Sequence, residues 1–121
     1  MIKKVSMQSI NEFFGLQNNI QEKLKTRVGK TQTVDERNRL YREHCIFTIE
    51  EIIEGLRNIN HKPWKKTKEA DNIEELKDEL VDEFRFFLNR CIIMNMSPDE
   101  LYQRFLKSIK KTESKFIISG F

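Results

Sequence analysis

Apolar side chains recur every three or four residues through most of the chain, which is the spacing of amphipathic helices. Strand-like alternation is absent from the sequence apart from the short stretch FIIS near its end. We therefore expect an all-α bundle of four or five helices. The predicted helices run over residues 6–25, from after Asp35 to about residue 60, over about 72–95, and from 98 to about 115.

Short polar signals mark the ends of these helices. Asp35 is the expected N-cap of the second helix, and Gly29 is a stop signal in the connector that follows the first. The fourth helix has a complete start signal, with Ser97 as the N-cap, Pro98 at the first position and Glu100 at the capping-box position. At 121 residues the chain is expected to form a single domain over residues 1–121.

The third predicted helix has two faces of different character. One face is apolar, and we expect it to face the core: Leu76, Leu80, Phe84, Phe87, Leu88 and Cys91. The opposite face mixes two acids, an aromatic ring and an amide: Glu79, Asp82, Phe86 and Asn89. In the second helix Glu51 and Glu54 also lie three residues apart, away from an isoleucine-rich stripe. The two acid pairs are either solvated surface charge or one cluster that holds a divalent cation.

Composition narrows the class of protein. Charged residues make up 34% and hydrophobic residues 38%, which is typical of a folded, charge-rich helical protein. No apolar run approaches the roughly 18 residues of a membrane span, and the N-terminus lacks the apolar core of a secretion signal. Cys45 and Cys91 are expected to be reduced thiols of a cytoplasmic protein, and His44 and His61 do not form a zinc pattern with them.

The net charge of +3 is unevenly distributed. Residues 69–83 are strongly acidic, whereas the segment HKPWKKTK before them and the end of the chain are basic. Lysines of this kind often cover a solvated helix face. Beside an acidic cluster, they also suit a ligand that carries phosphates together with a divalent metal. A nucleic-acid-binding surface would be expected to have a more extreme net charge.

Three segments in order, EEIIE, HKPWKK and ELVDEFRFFLN, resemble the all-α nucleoside triphosphate pyrophosphatases, which include the dimeric dUTPases, the phage dCTP/dUTP pyrophosphatases and the MazG-like enzymes. The motif of that superfamily is ExxE on one helix and ExxD on the next. Glu51 with Glu54 and Glu79 with Asp82 supply it. The resemblance covers about residues 10–121 and implies a bundle completed by dimerisation.

The resemblance implies an activity and a cofactor. A Mg²⁺-dependent enzyme (Mn²⁺ is an alternative) would convert dUTP, and possibly dCTP, to the nucleoside monophosphate and pyrophosphate. Glu51, Glu54, Glu79 and Asp82 would hold the metal, and one of them, Glu51 by preference, would orient or deprotonate the attacking water. The implied partners are the nucleotide and a second copy of the chain, with a tetramer as the alternative. No membrane or nucleic-acid partner is expected.

The resemblance also assigns roles in substrate binding. Gln17 and Asn89 would supply hydrogen bonds to the base, and Phe86 would flank it. Trp64 would pack on the nucleoside or close the pocket. The remaining candidates would contact phosphates: Lys65, Lys66, Lys107, Lys111 and Lys115. For each of these positions, packing or a place on the surface is the competing interpretation.

Two departures from the pattern bear on the substrate. Arg85-Phe86 stands where dimeric dUTPases usually carry His-Phe, and the chain ends in Gly120-Phe121 where they usually end in Gly-Tyr. Two alternatives to a dUTPase therefore stay open at the level of sequence. One is a MazG-like house-cleaning pyrophosphatase with another base preference, and the other is a helical module that binds nucleic acid or a partner without catalysis.

Overall fold

A computed structural model describes residues 7–30, 32–59 and 71–119 of the chain. Within these ranges the structure contains four helices and no strand, which confirms the all-α prediction. None of these helices is both long enough and apolar enough to cross a membrane. The helices are α1 (Met7–Lys23), α2 (Val34–Leu56), α3 (Ile73–Ile93) and α4 (Pro98–Ser119).

Side-chain caps fix three of the helix starts. Ser97 caps α4 as predicted, since its hydroxyl accepts a hydrogen bond from the Glu100 amide at 3.1 Å. Asn72 caps α3 through the Glu75 amide. The predicted N-cap of α2 was wrong, because Thr33 accepts from the Glu36 amide and Asp35 lies in the first helical turn. An acid there still interacts favourably with the positive end of the helix dipole.

Two helices end in a left-handed residue. Lys25 (φ 57°) follows α1 and Asn95 (φ 55°) follows α3, and in both cases the next amide bonds back to a carbonyl five residues earlier. This is the hydrogen bond of a Schellman motif. The chain therefore leaves α1 at Lys25, close to the predicted end of the helix at residue 25, and Gly29 lies in the connector as expected. The FIIS segment belongs to α4, which continues to Ser119.

Helix α3 is central, since it packs against both α2 and α1, while α4 packs against α1. The buried apolar side chains form two small clusters at this centre. One joins α1 to α3 through Phe14, Leu88 and Cys91. The other joins α2, α3 and the connector after α1 through Val28, Leu40 and Ile93. Both clusters support α3 near its C-terminal end and leave its N-terminal half to be covered by α2.

Candidate functional site

The long contact between α2 and α3 brings the two predicted acid motifs onto facing surfaces. The helices run antiparallel, and we call their contact the α2–α3 seam. Five pairs of residues meet along it: Leu40 with Ile93, His44 with Asn89, Phe47 with Phe86, Glu51 with Asp82, and Gly55 with Leu76. The end pairs of the seam are apolar or small, and between them one polar pair lies on each side of the aromatic pair Phe47 and Phe86.

The seam buries the face of α3 that was expected to point away from the core. Glu79 is 8% exposed and Asn89 is 1% exposed, whereas Leu80 and Phe84 of the apolar face are 54% and 40% exposed. The prediction that only the apolar face of α3 lies towards the core was therefore wrong. The physical reason is that α2 offers polar groups that pair with the mixed face, while α1 covers only part of the apolar one.

Three carboxylates converge in the seam. Glu51, Glu79 and Asp82 each place one carboxylate oxygen so that the three atoms lie within 4.8 Å of one another. Gly55 lets the helices approach here, because a Cβ atom added to it would lie 3.2 Å from Leu76 Cδ1 and 3.7 Å from Glu79 Cβ. Glu54, the fourth acid of the motif, is exposed beside the cluster. The spacing of the three oxygens is compatible with a single shared cation.

The electrostatics of this cluster favour a proton or a cation between the acids. One oxygen of Glu51 and one of Glu79, both Oε2, are buried and have no hydrogen-bond donor in the part of the chain that the structure describes. The pKa of Glu79 is raised to about 7, and the largest cause is a hydrogen bond between the Glu51 and Glu79 carboxyls. Desolvation and the negative charges of Glu51, Glu54 and Asp82 supply the rest of this rise.

A cavity of about 400 Å³ opens along the seam, on the side towards the end of α1. Phe47 and Phe86 line it with ring centroids 5.5 Å apart, and His44 packs edge-on against Phe47 at 5.3 Å. Glu51 lies one helical turn beyond Phe47, which is about 6 Å along the axis. The aromatic end of the cavity is therefore separated from the carboxylate cluster by about one turn of α2.

Buried polar side chains extend from this cavity to α1. Gln17 Nε2 donates to Asn89 Oδ1 at 2.9 Å, although the two residues are 72 positions apart in the chain. Arg85 Nε donates to Gln17 Oε1 at 3.0 Å. Asn89 Nδ2 lies 3.5 Å from His44 Nδ1. Burial lowers the pKa of His44, Glu43 opposes this effect and the Arg90 charge adds to it, so the neutral imidazole is favoured.

Comparison with known protein families identifies the family of this chain. The model of a family described as dUTPase, the dimeric all-α dUTPases, matches residues 13–120. The chain belongs to the dUTPase family. No curated protein and no solved structure matches it.

Membership of the dUTPase family fixes the class of reaction. This dUTPase is a nucleoside triphosphate pyrophosphatase, a hydrolase whose activity is the conversion of dUTP to dUMP and pyrophosphate. Enzymes of the family generally use Mg²⁺. The match favours the enzyme over the non-catalytic binding module that stayed open as an alternative, because it covers both acid motifs and extends from within α1 through α4.

The remaining predicted site residues of the dUTPase are not all gathered at the seam. Lys107 and Lys111 are exposed on α4, which packs against α1, whereas the acids lie between α2 and α3. Lys115 is also exposed on α4 and has an interaction of its own. The positions Trp64, Lys65 and Lys66 lie outside the described residues.

Three seam residues of α2 had no role in the sequence-based interpretation. His44 and Phe47 line the aromatic cavity, and Gly55 permits the close approach of the helices. A signal for them was present, since they share one helical face with Glu51 at spacings of three and four residues. The isoleucine-rich stripe on the other side of α2 hid it, because burial was assigned to the more hydrophobic face.

Proposed function

We propose that this dUTPase hydrolyses its substrate at the carboxylate cluster of the α2–α3 seam, with the nucleoside in the adjacent aromatic cavity. The observation that carries the proposal is the group of Glu51, Glu79 and Asp82 oxygens within 4.8 Å of one another. Glu51 and Glu79 each have a buried oxygen that finds no donor among the described residues. Such a cluster costs free energy in a folded protein unless a cation compensates the charge.

The donor set fits Mg²⁺, which prefers carboxylate oxygens together with water and substrate phosphates. Glu51, Glu79 and Asp82 would hold it, and the exposed Glu54 would complete the set from the edge of the seam. Magnesium bound there would supply positive charge to the triphosphate oxygens and assist the departure of pyrophosphate. Mn²⁺ would serve as a replacement with the same donors.

The chain's own residues would then position the reactants. Glu51 is our choice to orient the attacking water and accept its proton, because it reaches the cluster from α2 while Glu79 and Asp82 both come from α3. Proton transfer from water to a positioned carboxylate is a common way to lower the barrier to hydrolysis.

The nucleoside would enter the cavity lined by Phe47 and Phe86. Phe86 would flank the base, and Asn89 with Gln17 would supply the hydrogen bonds that recognise it. Trp64 is proposed to close the pocket. Phosphate contacts are proposed for five lysines: Lys65, Lys66, Lys107, Lys111 and Lys115. A triphosphate that extends from the cavity would pass directly over the acid cluster.

We further propose that the protein acts as a homodimer in the cytoplasm, with a tetramer as the alternative assembly. Support comes from an apolar stripe on α2 directly opposite the seam, every member of which is at least 39% exposed: Ile46, Ile49, Ile53 and Leu56. We call it the outer stripe. Monomeric proteins rarely expose a continuous apolar stripe of this length. The free thiols Cys45 and Cys91 suit a reducing compartment.

Pyrophosphate release from a panel of nucleotides tests the proposal. The purified protein with Mg²⁺ should hydrolyse dUTP, and inclusion of dCTP and the canonical deoxynucleoside triphosphates would reveal a broader or MazG-like preference. Glu79→Gln and Asp82→Asn should each lower kcat at least about 100-fold while the protein stays folded. The matched control is Asp78→Asn, an exposed acid next to Glu79 on the same helix, which should keep wild-type activity. Full activity of Glu79→Gln would refute the assignment of the site.

A further inference from the structure

Four polar side chains form one continuous relay from the surface of the protein to the aromatic cavity. It runs from Arg85 to Gln17 (3.0 Å), from Gln17 to Asn89 (2.9 Å), and from Asn89 to His44 (3.5 Å). Its three inner members are buried, with Gln17 5%, Asn89 1% and His44 7% exposed. Arg85 is exposed at the other end, beside an apolar groove between α1 and α3.

The direction of every hydrogen bond in this relay follows from Arg85. A guanidinium can only donate, so Gln17 must turn its oxygen towards it and its nitrogen towards Asn89. Asn89 must then present its own oxygen to Gln17, which directs its nitrogen at His44 Nδ1. Since that nitrogen carries hydrogens, Nδ1 has to be the unprotonated atom of the ring, and the proton resides on Nε2.

We propose that Arg85 is a positioning residue that sets the polarity of this relay and, through it, the hydrogen-bonding pattern that Asn89 and His44 offer to the base. The inference rests on the proposed function, in which the base occupies the cavity lined by these two residues. Arg85 itself need not touch the substrate. It acts by deciding which way two buried amides point and which nitrogen of His44 carries the proton.

The polarity matters because an amide is ambiguous by itself. A freely rotating Asn side chain can serve uracil, which offers an acceptor at O4 and a donor at N3, or cytosine, which offers a donor at N4 and an acceptor at N3. Asn89 Oδ1 has a second lone pair and Nδ2 has a second hydrogen that the relay does not use, and both can bind the base. Fixing the amide therefore fixes which of the two bases finds complementary groups. A chain anchored by a donor-only residue is a physical means of discrimination between them.

The tautomer of His44 gives a direct spectroscopic readout of the relay. Long-range ¹H–¹⁵N correlation spectra of the wild-type protein should show His44 with an unprotonated Nδ1 and a protonated Nε2. Arg85→Met removes the donor and should produce a mixture of tautomers. Arg104→Met is the matched control, because Arg104 also donates through Nε, but to the surface carboxylate of Glu100 at 2.7 Å on α4. It should leave the His44 signals unchanged.

Base selectivity gives the second readout. The ratio of kcat/KM for dUTP to that for dCTP should fall at least about tenfold in Arg85→Met and stay at its wild-type value in Arg104→Met. Arg85→Lys retains a group that can only donate and should retain the wild-type tautomer and most of the selectivity. If it behaves like Arg85→Met instead, the argument that a donor-only group at this position fixes the relay is overturned.

The two readouts separate failure of this inference from failure of the proposed function. A wild-type tautomer in Arg85→Met would overturn the inference whether or not the protein is active. An altered tautomer with unchanged selectivity would overturn the link between the relay and the base. Absence of dUTP hydrolysis by the wild-type protein would refute the proposed function. The His44 tautomer in Arg85→Met would still test whether Arg85 sets the polarity of the relay.

Discussion

The two sides of α2 reverse the usual arrangement of polar and apolar residues. The side that faces α3 carries His44, Glu51 and Gly55, and His44 and Gly55 are buried while Glu51 is partly so. The opposite side is the outer stripe, which includes Ile49 at 54% and Ile53 at 45% exposure. Within one chain, the more hydrophobic face of this helix is the one left towards solvent.

This reversal separates two demands on one helix. The seam holds acids and amides, which are suited to bind a cation and a nucleotide. The outer stripe holds the apolar area that would be buried in the proposed dimer. A substitution on one side should therefore alter chemistry, and a substitution on the other should alter assembly. Each of the following predictions tests that division.

The largest effect is expected on the outer stripe. Ile53→Glu places a charge in the middle of the stripe and should raise the dissociation constant of the dimer at least about 100-fold, because burial of an unpaired charge at an interface is costly. Sedimentation velocity would measure it. Gln103→Glu adds the same charge at an exposed position of α4 and serves as the control. An unchanged dimer in Ile53→Glu would remove the assigned role of the outer stripe.

A smaller effect is expected where the seam is narrowest. Gly55→Leu should lower kcat/KM for dUTP roughly 10- to 100-fold, because a branched side chain would push α2 away from Leu76 and Glu79 and displace the acids. Gly55→Ala is the graded control. Its Cβ would meet the end of the flexible Leu76 side chain at 3.2 Å, and alanine favours the helix by up to about 1 kcal/mol. Steady-state kinetics that show equal activity for Gly55→Leu and the wild type would contradict the proposed closeness of the acids.

The smallest effect concerns pH. The pKa of Glu79 is raised to about 7 from an ordinary value of 4.5, so the folded protein binds this proton more tightly than the unfolded chain does. The resulting contribution to stability is fully present below the unfolded pKa and is lost as the pH rises through the folded pKa. Urea unfolding in a chelating buffer should show wild type losing stability relative to Glu79→Gln between about pH 5 and pH 8.

A control with Asp78→Asn should show no such divergence from the wild type, because that acid is exposed outside the cluster. The contribution of His44 to stability changes with pH in the opposite direction, since its pKa is lowered and the contribution is lost as the pH falls. This contribution cancels when wild type is compared with Glu79→Gln, because both proteins keep His44. A difference in stability that does not change with pH would show that Glu79 titrates as an ordinary surface acid.

The sequence was sufficient to predict the helices and the acid motifs, but not the orientation of the helices. Periodicity and the capping signal at Ser97 are local, so the element types and the start of α4 could be predicted from nearby residues. The burial of Glu79 could not, because it depends on Glu51 and Gly55 meeting α3 across the seam. The hydrophobic pattern of α2 indicated that the outer stripe faces the core. Such a pattern shows which face is apolar, but it does not distinguish a face buried inside the chain from one available to a second chain.

The relay from Arg85 to His44 was also beyond a sequence-based prediction. Gln17 and Asn89 were expected to act on the base, and their direct hydrogen bond across 72 positions depends on the packing of α1 against α3. Arg85 was visible in the sequence only as a departure from the family pattern. Its contact with Gln17 gives that departure a physical role.

The central claim is that the seam, and not another acidic surface, holds the divalent cation. Paramagnetic broadening of backbone amide signals by Mn²⁺ tests it without reliance on turnover. Signals of Glu51, Glu79 and Asp82 should disappear first, while that of Ile93, about 21 Å from Glu79 along the axis of α3, should persist. The selective loss should be absent in Glu79→Gln. Broadening that is strongest on α4, or equally strong along the whole of α3, would contradict the account.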